Sequence, residues 1–258
     1  MKYFIVDAFE ERVFKGNQAG VCLVETPLDD AAMQSIAAEN NLAETAFVLP
    51  NGNDFDLRWF TPETEIDLCG HATLATAFVL STIVDNTLEV MRFNTQSGVL
   101  TVTKRGELFE MDFPARPPAP TQIDALMAQA IGAPVLEAHL SRDLLLLVES
   151  EETVRSLKPD LTIIGGLPDC FAVVVTAQGN DVDFVSRFFA PNAGIPEDPV
   201  TGSSHSTLIP FWAKRLGKTK MVARQLSKRG GVLYCESCGE RVKISGQAAL
   251  YLSGELHV

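Results

Sequence analysis

The sequence predicts an α+β protein built as two similar halves. Three observations predict it: an ordered repeat of motifs between the two parts of the chain, short β-branched or aromatic runs of strand length, and one long apolar helical stretch in each part, entered through a turn rich in Gly, Thr or Pro. The chain has 258 residues, room for one large domain or two modest ones. With 46% hydrophobic and 21% charged residues it has the composition of a globular protein rather than of a disordered or fibrous one.

The repeat carries the most information. Asp54-Phe55-Asp56-Leu57-Arg58-Trp59-Phe60-Thr61-Pro62 is followed by Gly70-His71-Ala72-Thr73; in the second part Asp181-Val182-Asp183 leads to Arg187-Phe188-Phe189-Ala190-Pro191, and Gly202-Ser203-Ser204-His205 follows. The offset between copies grows from 127 to 129 to 132, as small loop insertions would make it. Flanking segments keep the same order: Ala46-Phe47-Val48-Leu49 matches Ala172-Val173-Val174-Val175, and Ser97-Gly98-Val99-Leu100 matches Gly230-Gly231-Val232-Leu233.

Each element has its own local reason. Gly70 to Val84 and Ser203 to Leu216 are helical by length and content, and both are largely apolar around their circumference, which implies that sheet wraps them. Alternation over Leu108 to Phe113 and Arg241 to Ser245 predicts strands. Four prolines among residues 114 to 120 rule out a helix interior or a central strand and mark the boundary. The predicted halves are therefore 1–115 and 116–258, with the last strand able to pair back onto the first half.

Two equivalent helices should direct their N-termini to one shared cleft. A helix N-terminus presents unpaired N–H groups and a partial positive charge, which suits a carboxylate, and Gly70 and Gly202 would let a substrate approach the backbone. A single such turn would more simply be read as a glycine turn entering a core helix; the duplication is what raises the functional reading.

The other function classes find less support. The net charge is −12, from 21 basic and 33 acidic residues, so phosphate backbones and anionic membranes are repelled overall. Residues 203–258 hold nine basic residues against three acidic ones, without interleaved aromatics, as a solvated helix face and hairpin would. Neither nucleic acid nor membrane is the expected partner. The longest near-apolar stretch, Ala72 to Val84, is 13 residues, well short of the roughly 20 that span a bilayer. The apolar run Tyr3 to Val6 is cut by Asp7, so no targeting segment is read there and the expected location is the cytoplasm. Five cysteines, an odd number, read as reduced thiols. Gly202-Ser203-Ser204-His205-Ser206 lacks the spacing of a hydrolase elbow, Cys235-Glu236-Ser237-Cys238 is at most half a zinc site, and Gly16-Asn17-Gln18-Ala19-Gly20 lacks the dinucleotide fingerprint.

Five ordered motifs together resemble the PhzF, or phenazine-biosynthesis-like, family within the diaminopimelate epimerase-like fold. They are Gly16-Asn17-Gln18-Ala19-Gly20-Val21, Asn41-Leu42-Ala43-Glu44-Thr45-Ala46-Phe47, Arg58-Trp59-Phe60-Thr61-Pro62, Cys69-Gly70-His71-Ala72-Thr73 and Glu197-Asp198-Pro199-Val200-Thr201-Gly202-Ser203. The resemblance implies two pseudo-symmetric domains, each a barrel-like sheet around a central helix, with the active site between them and usually a homodimer. It implies a cofactor-independent, metal-free isomerase acting on a small carboxylate-bearing metabolite. Its acid/base glutamate falls on Glu44 and its supporting polar residues on His71, Asp198 and Ser203. Asn17, Gln18, Gly70, Thr201 and Gly202 fall near its substrate.

The chemistry suits that assignment. Moving a proton beside an unsaturated or carbonyl system needs a base whose conjugate acid returns the proton, and a carboxylate in an apolar cleft does both. Glu44 stands in the apolar stretch Leu42 to Phe47. Racemases of the same fold use two facing thiols, whereas here the repeat pairs Cys69 with Thr201, and an alcohol is no base near neutrality. Cys69 is read either as reactive at its helix start or as a buried inert thiol. A non-catalytic metabolite- or protein-binding member of the family, and an epimerase with an unusual base pair, stay open as alternatives.

Overall fold

The computed structural model describes all residues, 1–258. They form two compact units, Met1–Asp112 with Ser245–Val258, and Phe113–Ile244.

In the first unit the chain runs β1 (Lys2–Ala8), β2 (Asn17–Leu23), α1 (Asp30–Asn40), β3 (Glu44–Asn51), β4 (Asp54–Phe60), β5 (Glu65–Ile66), α2 (Gly70–Val79), β6 (Val90–Thr95), β7 (Gly98–Arg105) and β8 (Leu108–Pro114). β2 and β3 are parallel, with Ala19 opposite Glu44, so both strands start at one end. Gly16 sets up the start of β2: its φ is +66°, and a Cβ there would stand 2.2 Å from the Ala8 carbonyl oxygen, which leaves glycine as the residue for this bend. α1 is capped by Asp29, whose carboxylate accepts the Ala32 N–H at 2.7 Å, and ends at Asn41 in the left-handed conformation, which turns the chain into β3 at Glu44. Met33, Ile36 and Ala37 of α1 pack with Tyr3, Cys22, Phe47 and Phe60 on one face of the strands.

On the other face lies α2. Every residue from Gly70 to Val79 except Phe78 is buried, as its apolar circumference predicts, and it packs against β1, β2, β3 and β7. It continues through one π-helical segment, Leu80–Val84, closed by the Asp85 N–H on the Leu80 carbonyl at 2.8 Å.

The second unit contains β9 (Ala119–Thr121), α3 (Ala125–Ile131), β10 (Glu137–Leu140), β11 (Leu144–Leu147), α4 (Glu151–Ser156), α5 (Leu161–Gly166), β12 (Val173–Gln178), β13 (Phe184–Ala190), β14 (Ile195–Asp198), α6 (His205–Leu216), β15 (Lys220–Gln225), β16 (Gly231–Cys238) and β17 (Arg241–Gly246). Its core gathers Leu146, Val173, Val175, Val185 and Phe189 from the strands with Ile131, Val154 and Ile164 from the short helices. α6 differs from α2 in turning Lys214 and Arg215 to solvent. It holds Pro210, which has no N–H to give the Ser206 carbonyl; the Arg116 N–H takes that carbonyl at 2.8 Å instead. Two members of the basic cluster are held in ion pairs, Arg215 with Glu137 at 2.7 Å and Lys218 with Asp183. The last strand, β18 (Ala248–Glu255), runs antiparallel to β1 and belongs to the first unit, so the second unit ends at Ile244 rather than at 258.

The repeat reaches down to side chains. Arg58 on β4 grips Glu65 through Nε and Nη2 at 2.6 and 2.7 Å; Arg187 on β13 grips Glu197 the same way at 2.7 and 3.0 Å. Each guanidinium also lies over the aromatic two residues on, Phe60 at 5.2 Å and Phe189 at 5.1 Å. Strand register sharpens the correspondence. Thr45 pairs with Phe60 and Val173 with Phe189, so Ala46 matches Val174, not Ala172 as the flanking apolar runs suggest. Runs of Ala and Val carry nothing that fixes register; the arginines do.

Candidate active site

Three chain segments meet at the start of α2. Asn17 opens β2, Glu44 opens β3, and Cys69 and His71 stand at the cap and second position of the helix. All four are buried. His71 Nε2 lies 3.0 Å from Glu44 Oε2; its other nitrogen, Nδ1, lies 3.2 Å from Asn17 Nδ2 and 3.5 Å from Cys69 Sγ. The Asn17 amide can meet either protonation state of the ring, since half a turn exchanges its nitrogen and oxygen.

Glu44 Oε2 and His71 Nε2 face each other as a buried ion pair at 3.0 Å, and neither atom has any further hydrogen-bond partner. Burial pushes the His71 imidazole down, but its contacts with Cys69 and with the Glu44 carboxylate outweigh it and hold the ring well above the ordinary histidine range. The Cys69 thiol is pushed up, by burial first and the Glu44 charge second, so it stays protonated near neutrality.

Donor atoms of Glu44, Cys69 and His71 fall within 4.8 Å of one another. They are ligand types that zinc accepts. However, the thiol faces Nδ1 and the carboxylate faces Nε2, opposite edges of one ring, so a single ion would require the ring to turn.

Gly70 is the first residue of α2 and is buried. Gln18 does not join it. It follows Asn17 along a strand, and alternation turns it to the opposite face.

The second unit holds the other residues expected from the sequence around the start of α6. Asp198 ends β14 and accepts the Thr201 hydroxyl at 2.5 Å. Gln225 of β15, which carries no sequence signal, ties this loop down: Oε1 accepts the Thr201 N–H at 2.9 Å, and Nε2 donates to the Asp198 carbonyl at 2.7 Å and to Thr201 Oγ1 at 3.1 Å. Thr201 is thus committed to structure on both its hydroxyl and its N–H. Its carbonyl accepts from the Ser204 hydroxyl at 2.9 Å and from His205 Nδ1 at 2.8 Å. His205 is fully buried with no partner on Nε2, and burial lowers its pKa to about 4, so it is neutral. Gly202 is buried in the turn, and Ser203 Oγ accepts an N–H from Arg142 at 3.3 Å.

The sequence model of the PhzC-PhzF family, described as phenazine biosynthesis-like protein, matches residues 6–254. A Pseudomonas aeruginosa protein named an uncharacterized isomerase is 51% identical over 255 residues, 99% of this chain and 98% of that one. The crystal structure of a PhzF family protein from Enterococcus faecalis superposes with a TM-score of 0.98 at 50% identity, covering 100% of this chain and 99% of that one. A probable proline racemase from Agrobacterium radiobacter, at 11% identity and TM-score 0.65 over 100% and 93% of the two chains, shares the fold alone. The fold is the α+β, diaminopimelate epimerase-like one.

Proposed function

The chain belongs to the PhzC-PhzF family of phenazine biosynthesis-like proteins, and on that premise we propose that it is a cofactor-independent isomerase that shifts a proton within a small carboxylate-bearing metabolite. The observation that carries this is the buried Glu44 carboxylate, ion-paired with His71 at 3.0 Å and without any other partner on that oxygen. A carboxylate so screened from water accepts a proton from a carbon placed against it.

In this reading Glu44 removes a proton from a carbon next to an unsaturated system. The electron pair moves through that system, and the protonated Glu44 delivers a proton to another carbon on the same face. His71 fixes the carboxylate and balances its charge, with Asn17 holding the ring from behind. Asp198 and Ser203 are given the orienting of the substrate's polar groups, and Gly70, Thr201 and Gly202 its binding, as the family resemblance implies. Gln18 has a supporting place only, since it lies on the other face of its strand. The relatives named as isomerases support the reaction class. The reading includes a homodimer working in the cytoplasm, as the resemblance implies.

Two-thiol racemisation is disfavoured on a specific ground. Thr201 stands where a second thiol would be, and its hydroxyl already donates to Asp198. Replacing Glu44 with Gln, nearly the same shape without the charge, tests the proposal. Turnover is expected to vanish while folding and ligand binding persist; wild-type turnover in the variant overturns it.

A further inference from the structure

Resting on that reading, we propose that Arg142 is the anchor for the substrate's carboxylate. The segment Ser141 to Asp143, entering β11, takes the place that Asn17 to Ala19 takes in entering β2, because Gly20 and Leu144 pair with the matching residues Thr45 and Val173. In each unit a side chain from that segment reaches the second residue after the helix-start threonine or cysteine. In the first, Asn17 reaches His71; in the second, Arg142 reaches Ser203. The two starts have diverged in polarity. The first presents an acceptor, the Glu44 carboxylate. At the second, Arg142 and the Ser203 hydroxyl add donors beside the Asp198 carboxylate.

Arg142 is held rigidly for such a task. Its Nε and Nη2 donate to Asp143 Oδ1 and Oδ2, both at 2.9 Å, and Asp143 is 1% exposed. The guanidinium lies 4.9 Å over the half-exposed Phe171 ring, and the Phe171 N–H bonds the Arg142 carbonyl at 3.0 Å. A second Nη2 hydrogen goes to Ser203 Oγ. Of the five guanidinium hydrogens these contacts use three, and both hydrogens of Nη1 remain for a ligand. Ser203, having accepted from Arg142, has its own hydroxyl hydrogen to give. The three donors on Arg142 and Ser203 suit an oxyanion. Because Asp143 already offsets much of the cation's charge, a singly charged carboxylate fits better than a phosphate dianion.

The test compares acids with their neutral amides, which isolates the charge of the ligand. Benzoate against benzamide, and cyclohexene-1-carboxylate against its amide, are titrated by protein-observed NMR into wild type, Arg142→Lys and the Arg142→Gln/Asp143→Asn pair, which removes both charges together and leaves no buried orphan. Wild type is expected to prefer each acid by about tenfold, the neutral pair to lose that preference to within about threefold, and Arg142→Lys to keep part of it. An unchanged acid preference in the folded neutral pair, or no preference in wild type, overturns the proposal. If the neutral pair does not fold, Arg142→Lys decides: a full wild-type preference there overturns the fork-shaped anchor. Binding without turnover is the readout, so failure here is separate from failure of Glu44 as the base, which only the proton-transfer assays detect.

Discussion

Ala172 occupies in the second unit the place that Glu44 holds in the first. Each precedes the residue, Val173 or Thr45, that pairs with the second aromatic after the arginine of its strand. A methyl group cannot exchange a proton, and the Thr201 hydroxyl is tied to Asp198. On the proposed reading, one base stands where an inverting enzyme needs two.

One base predicts no inversion. Incubation with L-proline, L-glutamate and other amino acids, followed by chiral chromatography, is expected to recover each with its configuration unchanged. Accumulation of a D-enantiomer at a rate set by enzyme concentration would refute the one-base arrangement.

The Cys69 thiol is expected to be chemically quiet. Burial and the Glu44 charge keep it protonated. Iodoacetamide near neutral pH should label the exposed Cys238 well before the buried Cys22, Cys69 and Cys235, as mass spectrometry of peptides would show. Cys69→Ala should keep turnover to within about tenfold of wild type, because the thiol touches His71 without carrying the proton.

The paired arginine clamps should differ in what they hold. The Arg187 side chain is 11% exposed and also donates to the Val154 and Leu157 carbonyls, at 3.3 and 3.1 Å. Arg58 is more exposed, and its further partner is the solvent-facing Asp30. Arg187→Ala is expected to cost about 3 kcal/mol by leaving Glu197 and two carbonyls bereft, and Arg58→Ala about 1 kcal/mol. Urea unfolding of the two variants measures both; equal losses would contradict the difference in burial.

His205 should weaken the protein toward acid. Its pKa is lowered to about 4 when folded, mainly by burial, so the unfolded chain takes up a proton first as pH drops below about 6.5. Stability should be fully present above that value and decline as pH falls toward 4, by about 3 kcal/mol from this group. His205→Gln should flatten that part of the curve in urea unfolding measured between pH 7 and 4. His71 has the opposite sign: held above its ordinary range, its contribution is full below about pH 6.5 and fades as pH rises through the folded-state value.

Much of the fold was legible because its signals are local and repeated. The motifs from Arg58 to Thr73 and Arg187 to His205 place the arginine-bearing strand and the helix start in each unit, and the prolines after Phe113 fall where the units divide. Glu44 and His71 could be named only through the family motifs, since nothing local in a strand of Ala, Thr and Phe distinguishes a base from a surface glutamate. That they lie 3.0 Å apart depends on the parallel pairing of β2 with β3 and on how α2 packs beneath them, both long-range facts. Gln225 and the Arg142–Asp143 pair left no trace in the sequence for the same reason: their partners are at least 24 and 61 residues away, or are adjacent residues of unremarkable type. The match of Ala46 to Ala172 failed because apolar strands slide freely in an alignment until a charged pair pins them.

The most direct measurement of the central claim is uptake of solvent deuterium. Wild type and Glu44→Gln are incubated in deuterated water with the unsaturated cyclic acids that bind in the titrations, and recovered material is examined by NMR and mass spectrometry for deuterium at the carbons next to the unsaturation. The account predicts enzyme-dependent label or a shifted double bond with wild type and neither with a folded, ligand-binding Glu44→Gln. Equal proton transfer by the two proteins would contradict it.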